Sequence, residues 1–162
     1  MRYFLAPALM AFCSFAWSDA EATTVTGTFN VQVTIAGTCL LNSATILNFG
    51  TQGVLAANVD QTSTITATCT NTTPYDIGLD QGVHGGSVLT RQMKAAGPAL
   101  INYFLFSDAG RTTNWGNTVG TDTVHTLGTG SAQAFTVYGR ITPQPSPLPA
   151  LYTDTITVTV TF

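Results

Sequence analysis

Asp76 and Asp80 form the near-neighbour acidic pair that shares a strand face, and paired carboxylates are what a glycosidase needs. Four residues of strand at about 3.3 Å each separate the two groups by roughly 13 Å, beyond the about 5 to 9.5 Å of catalytic pairs. They therefore read as solvated strand and turn aspartates. His84 lies between glycine-bearing turns and His125 in a Thr-rich stretch. Neither has a Cys or His cluster at ligand spacing beside it, so both read as surface residues and no metal or other cofactor is expected. Ser131, in Gly128-Thr129-Gly130-Ser131, lacks the strand-turn-helix setting of a nucleophile elbow. Asp108-Ala109-Gly110 reads as a turn, because no further acid lies near it to build a calcium loop. Tyr103, Phe104 and Phe106 could stack a sugar, but a strand apolar on both faces is expected to be buried in both layers. No constellation supports catalysis, and an enzyme is not expected.

The cysteines carry the remaining chemistry, and the compartment decides it. Arg2 precedes an almost wholly apolar run over residues 3–17, followed by the small-x-small sites Ser18-Asp19-Ala20 and Ala20-Glu21-Ala22. This reads as a signal peptide over residues 1–22, cleaved after Ala22. The apolar run is shorter than the roughly 20 residues a spanning helix needs. Cys13 leaves with that segment, so Cys39 and Cys69 remain as an even pair in an oxidising compartment, where a disulfide is expected. Closing a loop of that length removes chain entropy worth roughly 3 to 4 kcal/mol.

The elements that must position these residues read as strands. With 162 residues, the chain is one domain's worth. Only 8% of residues are charged and 44% are hydrophobic, so Thr, Asn, Gln and Ser must supply the polar surface, a composition that favours strands. The formal net charge is -3 and the five cationic side chains, Arg2, Arg91, Lys94, Arg111 and Arg140, are scattered, which argues against nucleic-acid binding. Turn signals at Ala36-Gly37 and Leu41-Asn42-Ser43 precede an expected strand over residues 45–49. Residues 61–70 alternate clearly, with Ile65, Ala67 and Cys69 on one face, so Cys69 points inward toward Cys39. Further strands are expected over residues 75–79, 87–93, 100–106 and 134–141. Residues 111–130 read as loop with strand fragments, and Pro143, Pro145, Pro147 and Pro149 impose an extended linker. Short strands at regular spacing argue for a β-sandwich.

Both flanks of this series carry a strict period of two. Over residues 23–35, Val25, Gly27, Phe29, Val31, Val33 and Ile35 face one way and Thr, Asn and Gln the other. This leading strand has no local hairpin partner and must find a groove elsewhere. Over residues 152–162, Ile156, Val158, Val160 and Phe162 alternate with threonines, and no residues follow for a further strand.

Several stretches, in this order, resemble one family. They are Val25-Thr26-Gly27-Thr28-Phe29-Asn30-Val31, Gly37-Thr38-Cys39, Leu47-Asn48-Phe49-Gly50, Thr66-Ala67-Thr68-Cys69, Val137-Tyr138-Gly139-Arg140-Ile141, and Tyr152-Thr153-Asp154-Thr155-Ile156-Thr157-Val158-Thr159-Val160. Together they resemble the secreted spore coat protein U-like domain, a family that includes subunits of archaic chaperone-usher pili. The resemblance implies an all-β, immunoglobulin-like sandwich over residues 37–162 that is incomplete, missing its last strand, with residues 23–36 as an N-terminal donor strand. It implies a structural subunit of a surface pilus, assembled by donor-strand exchange and serving attachment or biofilm formation. The implied partners are identical or related subunits, a periplasmic chaperone and an outer-membrane usher, with no stable membrane insertion of the mature chain. The implied location is the periplasm in transit and then the cell surface or medium. Ile156, Val158, Val160 and Phe162 are the expected pairing strand for chaperone or donor. A tip subunit is expected to carry a further adhesive domain in front, so a shaft or minor subunit is favoured. The alternative is a self-complemented spore coat or glycan-binding adhesin domain, whose leader folds into its own groove.

Overall fold

The computed structural model describes residues 21–162, so the signal-peptide reading, Cys13 included, falls outside the described residues but for its last two positions. The chain falls into two units, the first ending at Thr34 and the second running Ile35–Phe162. In the first, residues 21–34 carry no assigned strand. Period-two patterning gives a strand only where a neighbour supplies the ladder. Val25, Phe29, Val31 and Val33 are between 81% and 92% exposed.

The second unit holds eight strands and, among the described residues, no helix. These are β1 Cys39–Ala44, β2 Val59–Cys69, β3 Pro74–Leu79, β4 Arg91–Lys94, β5 Leu100–Phe106, β6 Val124–Leu127, β7 Ala132–Ile141 and β8 Val158–Thr161. They form two antiparallel sheets, one in the order β1-β2-β7-β5-β4 and one in the order β6-β3-β8. Alternation sets what lies between them. Ile65, Ala67 and Cys69 of β2, Tyr103 and Leu105 of β5, and Val137 and Ile141 of β7 meet Tyr75, Ile77 and Leu79 of β3 in one buried core. The fold is thus an all-β sandwich. Cys39 faces Cys69 across the β1–β2 pair and the two are joined by a disulfide, with Cys69 fully buried.

The structure corrects several boundaries. The turn signals at residues 41–43 lie inside β1, where the register shifts between Leu41 and Ser43 and the extra residue is absorbed as a bulge. The strand expected over residues 45–49 is absent. Gly50 takes a left-handed φ of 71°, and Phe49 and Leu55 turn into the core, so this stretch is a strap rather than a ladder strand. The strand expected over residues 87–93 is confined to β4. The final strand expected over residues 152–162 is only β8, leaving Ile156 before it and Phe162 after it. Thr153 instead makes an isolated bridge to Lys94 of β4, so the chain crosses from the larger sheet to the smaller one before pairing begins. β5 is not buried on both faces: Tyr103 and Leu105 are in the core, while Phe104 and Phe106 are half-buried and stack on each other outside, centroids 6.2 Å apart.

Candidate functional site

A cleft of about 980 Å³ opens between the sheets. Its floor is the core seen from the side: Ile65, Leu79, Tyr103, Leu105, Val137 and Ile141. One rim is the strap over residues 44–55, the other residues 146–156 and Val158. Apolar surface left open at a strand edge is what an added strand covers. β8 is an edge strand of the smaller sheet and β1 an edge strand of the larger, so each has one backbone side unpaired by a sheet neighbour. Val158, Val160 and Ile156 are half-buried against the core, and the threonines between them are exposed. Phe162 is 61% exposed and lies past the paired register.

Each rim is fixed by a different chemistry. The strap is pinned by packing: Gly139 of β7 lacks a Cβ where one would come within 2.7 Å of a Leu47 methyl and 3.0 Å of the Phe49 ring. Any side chain at that point would lift the strap from the floor. The far rim is pinned by carboxylates. Asp80 accepts the backbone N–H groups of Thr157 and Gly82 on Oδ1, each at 2.9 Å. Asp154 accepts the Val83 N–H at 2.9 Å and the Tyr103 hydroxyl at 2.6 Å. Burial, then the bond to Asp154, pushes the Tyr103 phenol far above its ordinary range, so it stays a donor at every working pH. Burial would raise the Asp80 carboxyl, but the Thr157 and Gly82 bonds outweigh it and hold it below the usual carboxylate range.

Beneath the far rim lies a residue the sequence did not single out. Arg91 is fully buried and donates from Nε to Asp80 O, from Nη1 to Val88 O, and from Nη2 to both Leu79 O and Trp115 O, all between 2.8 and 3.0 Å. Trp115, inside the stretch read as loop, is also buried and donates to Ile77 O at 2.8 Å. The two tie the loop after β5 to the end of β3. The signal for Trp115 was a bulky aromatic amid Thr, Asn and Gly, which periodicity cannot weigh, and Arg91 had none.

The residues first weighed for catalysis are dispersed into structural roles. Asp76 is not solvated: it is 8% exposed and accepts Thr123 Oγ1 at 2.7 Å and lies 3.0 Å from His125 Nδ1, the residue opposite it on β6. Burial works against its charge, but the His125 and Thr123 bonds prevail and keep its carboxyl below the ordinary range. Asp108 caps its own turn, accepting the Thr112 and Thr113 amides. His84 is exposed and Ser131 lies at the exposed turn before β7. Among the described residues no group of three or more metal-ligating side chains converges, and no helix is long and apolar enough to cross a membrane.

Residues 25–159 match the Spore Coat Protein U domain. Protein U of Myxococcus xanthus is 34% identical, over 91% of this chain and 90% of its own. A chain in the crystal structure of the CsuC-CsuE chaperone-tip adhesion subunit pre-assembly complex, from archaic chaperone-usher Csu pili of Acinetobacter baumannii, superposes with a TM-score of 0.57. Identity there is 23%, over 80% of this chain but 40% of that one, so the likeness is one of fold. Family and fold together mark a structural rather than an enzymatic protein. By the domain match and the extent of likeness to Protein U, the chain belongs to the Spore Coat Protein U domain family.

Proposed function

We propose that the protein is an exported pilus subunit that polymerises by donor-strand exchange, with residues 1–22 as signal peptide, 23–36 as donor strand and 37–162 as acceptor domain. The observation that carries this reading is the apolar cleft beside the unpaired edge of β8. A strand with one apolar face would complete the smaller sheet and cover the floor. Val25, Gly27, Phe29, Val31, Val33 and Ile35 provide such a face, and Val25, Phe29, Val31, Val33 and Ile35 are largely exposed in the single chain. If those five side chains each gained roughly 1.5 to 3 kcal/mol on burial, the gross gain is on the order of 10 kcal/mol before ordering costs. That suffices for a joint that does not come apart spontaneously.

In this reading a periplasmic chaperone holds the cleft with a strand of its own until, at an outer-membrane usher, the leader of the next subunit replaces it. Ile156, Val158, Val160 and Phe162 form the apolar row along which either strand aligns. The assembled fibre stands on the cell surface and serves attachment or biofilm formation. The fold match to a chaperone-usher subunit complex supports the chaperone and subunit partners. The test is deletion of residues 23–35. The truncated chain should remain soluble with a chaperone and should appear as single subunits, without the detergent-resistant ladder of the full chain. Stable polymers from the truncated chain would refute donor-strand exchange through the leader.

A further inference from the structure

The two rims are unlike in one respect that the donor-strand reading leaves unused. Ile46 and Val54 on the strap, and Leu148 and Leu151 opposite, are 78% to 84% exposed although all four line the cleft. Large apolar side chains left in water along both sides of an apolar cleft cost free energy until something covers them. The strap cannot move far, because Leu47, Phe49 and Leu55 pin it to the core. The opposite segment is free over most of its length. It is fastened at one end where Gln144 N–H donates to Leu55 O at 3.1 Å and Leu55 N–H donates to Ser146 Oγ at 2.8 Å. It is fastened at the other where Lys94 and Thr153 exchange backbone bonds at 2.9 and 3.1 Å. Between these ties its one hydrogen bond among the described residues is internal, from the Tyr152 hydroxyl to Leu148 O. Pro145, Pro147 and Pro149 fix φ and remove every second donor, so the segment cannot join a ladder and is stiff.

We propose that residues 146–151 form an arm that pivots on its two ties, Leu55–Ser146 and Lys94–Thr153, and closes onto the strand seated in the cleft, bringing Leu148 and Leu151 against Ile46 and Val54. The inference rests on the donor-strand reading, and the occupant it commits to is the leader of a second copy. Loading then has two stages, in which the strand enters an open cleft and the arm closes behind it. The closed arm slows departure without changing how the empty domain folds.

The test uses the full chain as its chaperone-held subunit, with a labelled synthetic peptide of residues 23–36 as the incoming strand. In the loaded state the amides of Leu148, Ala150 and Leu151 should exchange with deuterium about tenfold more slowly or beyond. The double variant Leu148→Ser, Leu151→Ser changes residues that are exposed in the empty cleft. It should leave the subunit's melting unchanged and release the bound peptide about tenfold to a hundredfold faster. Ser146→Ala, which loosens the hinge, should accelerate release about tenfold. Peptide that binds the wild type and leaves at the same rate from all three proteins, with no change in exchange over the arm, overturns the arm while leaving the donor strand in place. Failure of the peptide to bind the wild type at all overturns both.

Discussion

A guanidinium shut away from water keeps its charge only if its donors find acceptors, and Arg91 meets this need with main-chain carbonyls rather than a direct ion pair. Burial pushes its basicity below the ordinary value, and Asp80, Asp122 and Asp154 nearby offset only part of that push. Because two of those carbonyls end β3 and a third belongs to Trp115, the side chain fixes the Leu79 end of the cleft floor. Arg91→Met keeps the length and removes the donors. With dry carbonyls costing about 1 to 3 kcal/mol each, the variant should lose more than about 3 kcal/mol of unfolding free energy, measured by urea titration of the subunit. Arg91→Lys should recover only part, since an ammonium cannot span the same fork. A midpoint equal to wild type in Arg91→Met would show that water replaces the guanidinium. Nothing in Thr90-Arg91-Gln92 separates this arginine from the only partly buried Arg111 and Arg140. Its burial follows from where β3 and the Trp115 loop meet, which no local pattern encodes.

Strands were legible where burial is one-sided or complete. β2, β3, β5 and β7 follow the alternation or apolar runs of their residues to within a few positions, because each has sheet neighbours over most of its length. Legibility failed where a partner decides. Asn42 sits in a bulge and so resembled a turn, residues 45–49 alternate yet leave β2 after the Thr45 bond to Thr64 O, and residues 152–157 alternate in burial while bridging two sheets. The leader's pattern said that a groove was needed, but the groove's two rims come from segments with strap and proline character. The tie between β3 and the approach to β8 makes a prediction at this scale. Asp80 holds the Thr157 amide, and its folded value is depressed, so its contribution is present above the unfolded carboxylate value near pH 3.9 and is lost as pH falls through the lower folded value. Asp80→Asn should therefore melt below wild type above about pH 4, and the gap should close progressively in more acid solution. Thermal melts from pH 2 to pH 7 check this, and a gap independent of pH would assign the tie to shape rather than charge.

For the whole molecule, the question is which residues belong to one subunit's stability and which to the joint between two. A sandwich whose smaller sheet ends on an open β8 edge keeps its core in one chain, whereas on the donor-strand reading its cleft would be satisfied by another. Phe29 separates the two quantities. It is 85% exposed in the single chain, and it is the one aromatic in an apolar row otherwise made of Val, Ile and Gly. Phe29→Ala should therefore leave the melting of the chaperone-held subunit unchanged while weakening the polymer by roughly 3 to 5 kcal/mol per joint, as truncation of a core aromatic does. Gly27 gives the opposite perturbation, because a Cβ there meets nothing within 4 Å in the single chain. Gly27→Leu should fold normally yet stop assembly, since a seated strand approaching the cleft floor at that point has no room for a larger side chain. Polymer dissociation in heated detergent, read beside subunit melting, measures both. Damage to the joint alone from each variant places the leader in a neighbour's cleft. Equal damage to the isolated subunit would place it in its own, and the protein would then be a self-complemented coat or adhesin domain rather than a link in a fibre.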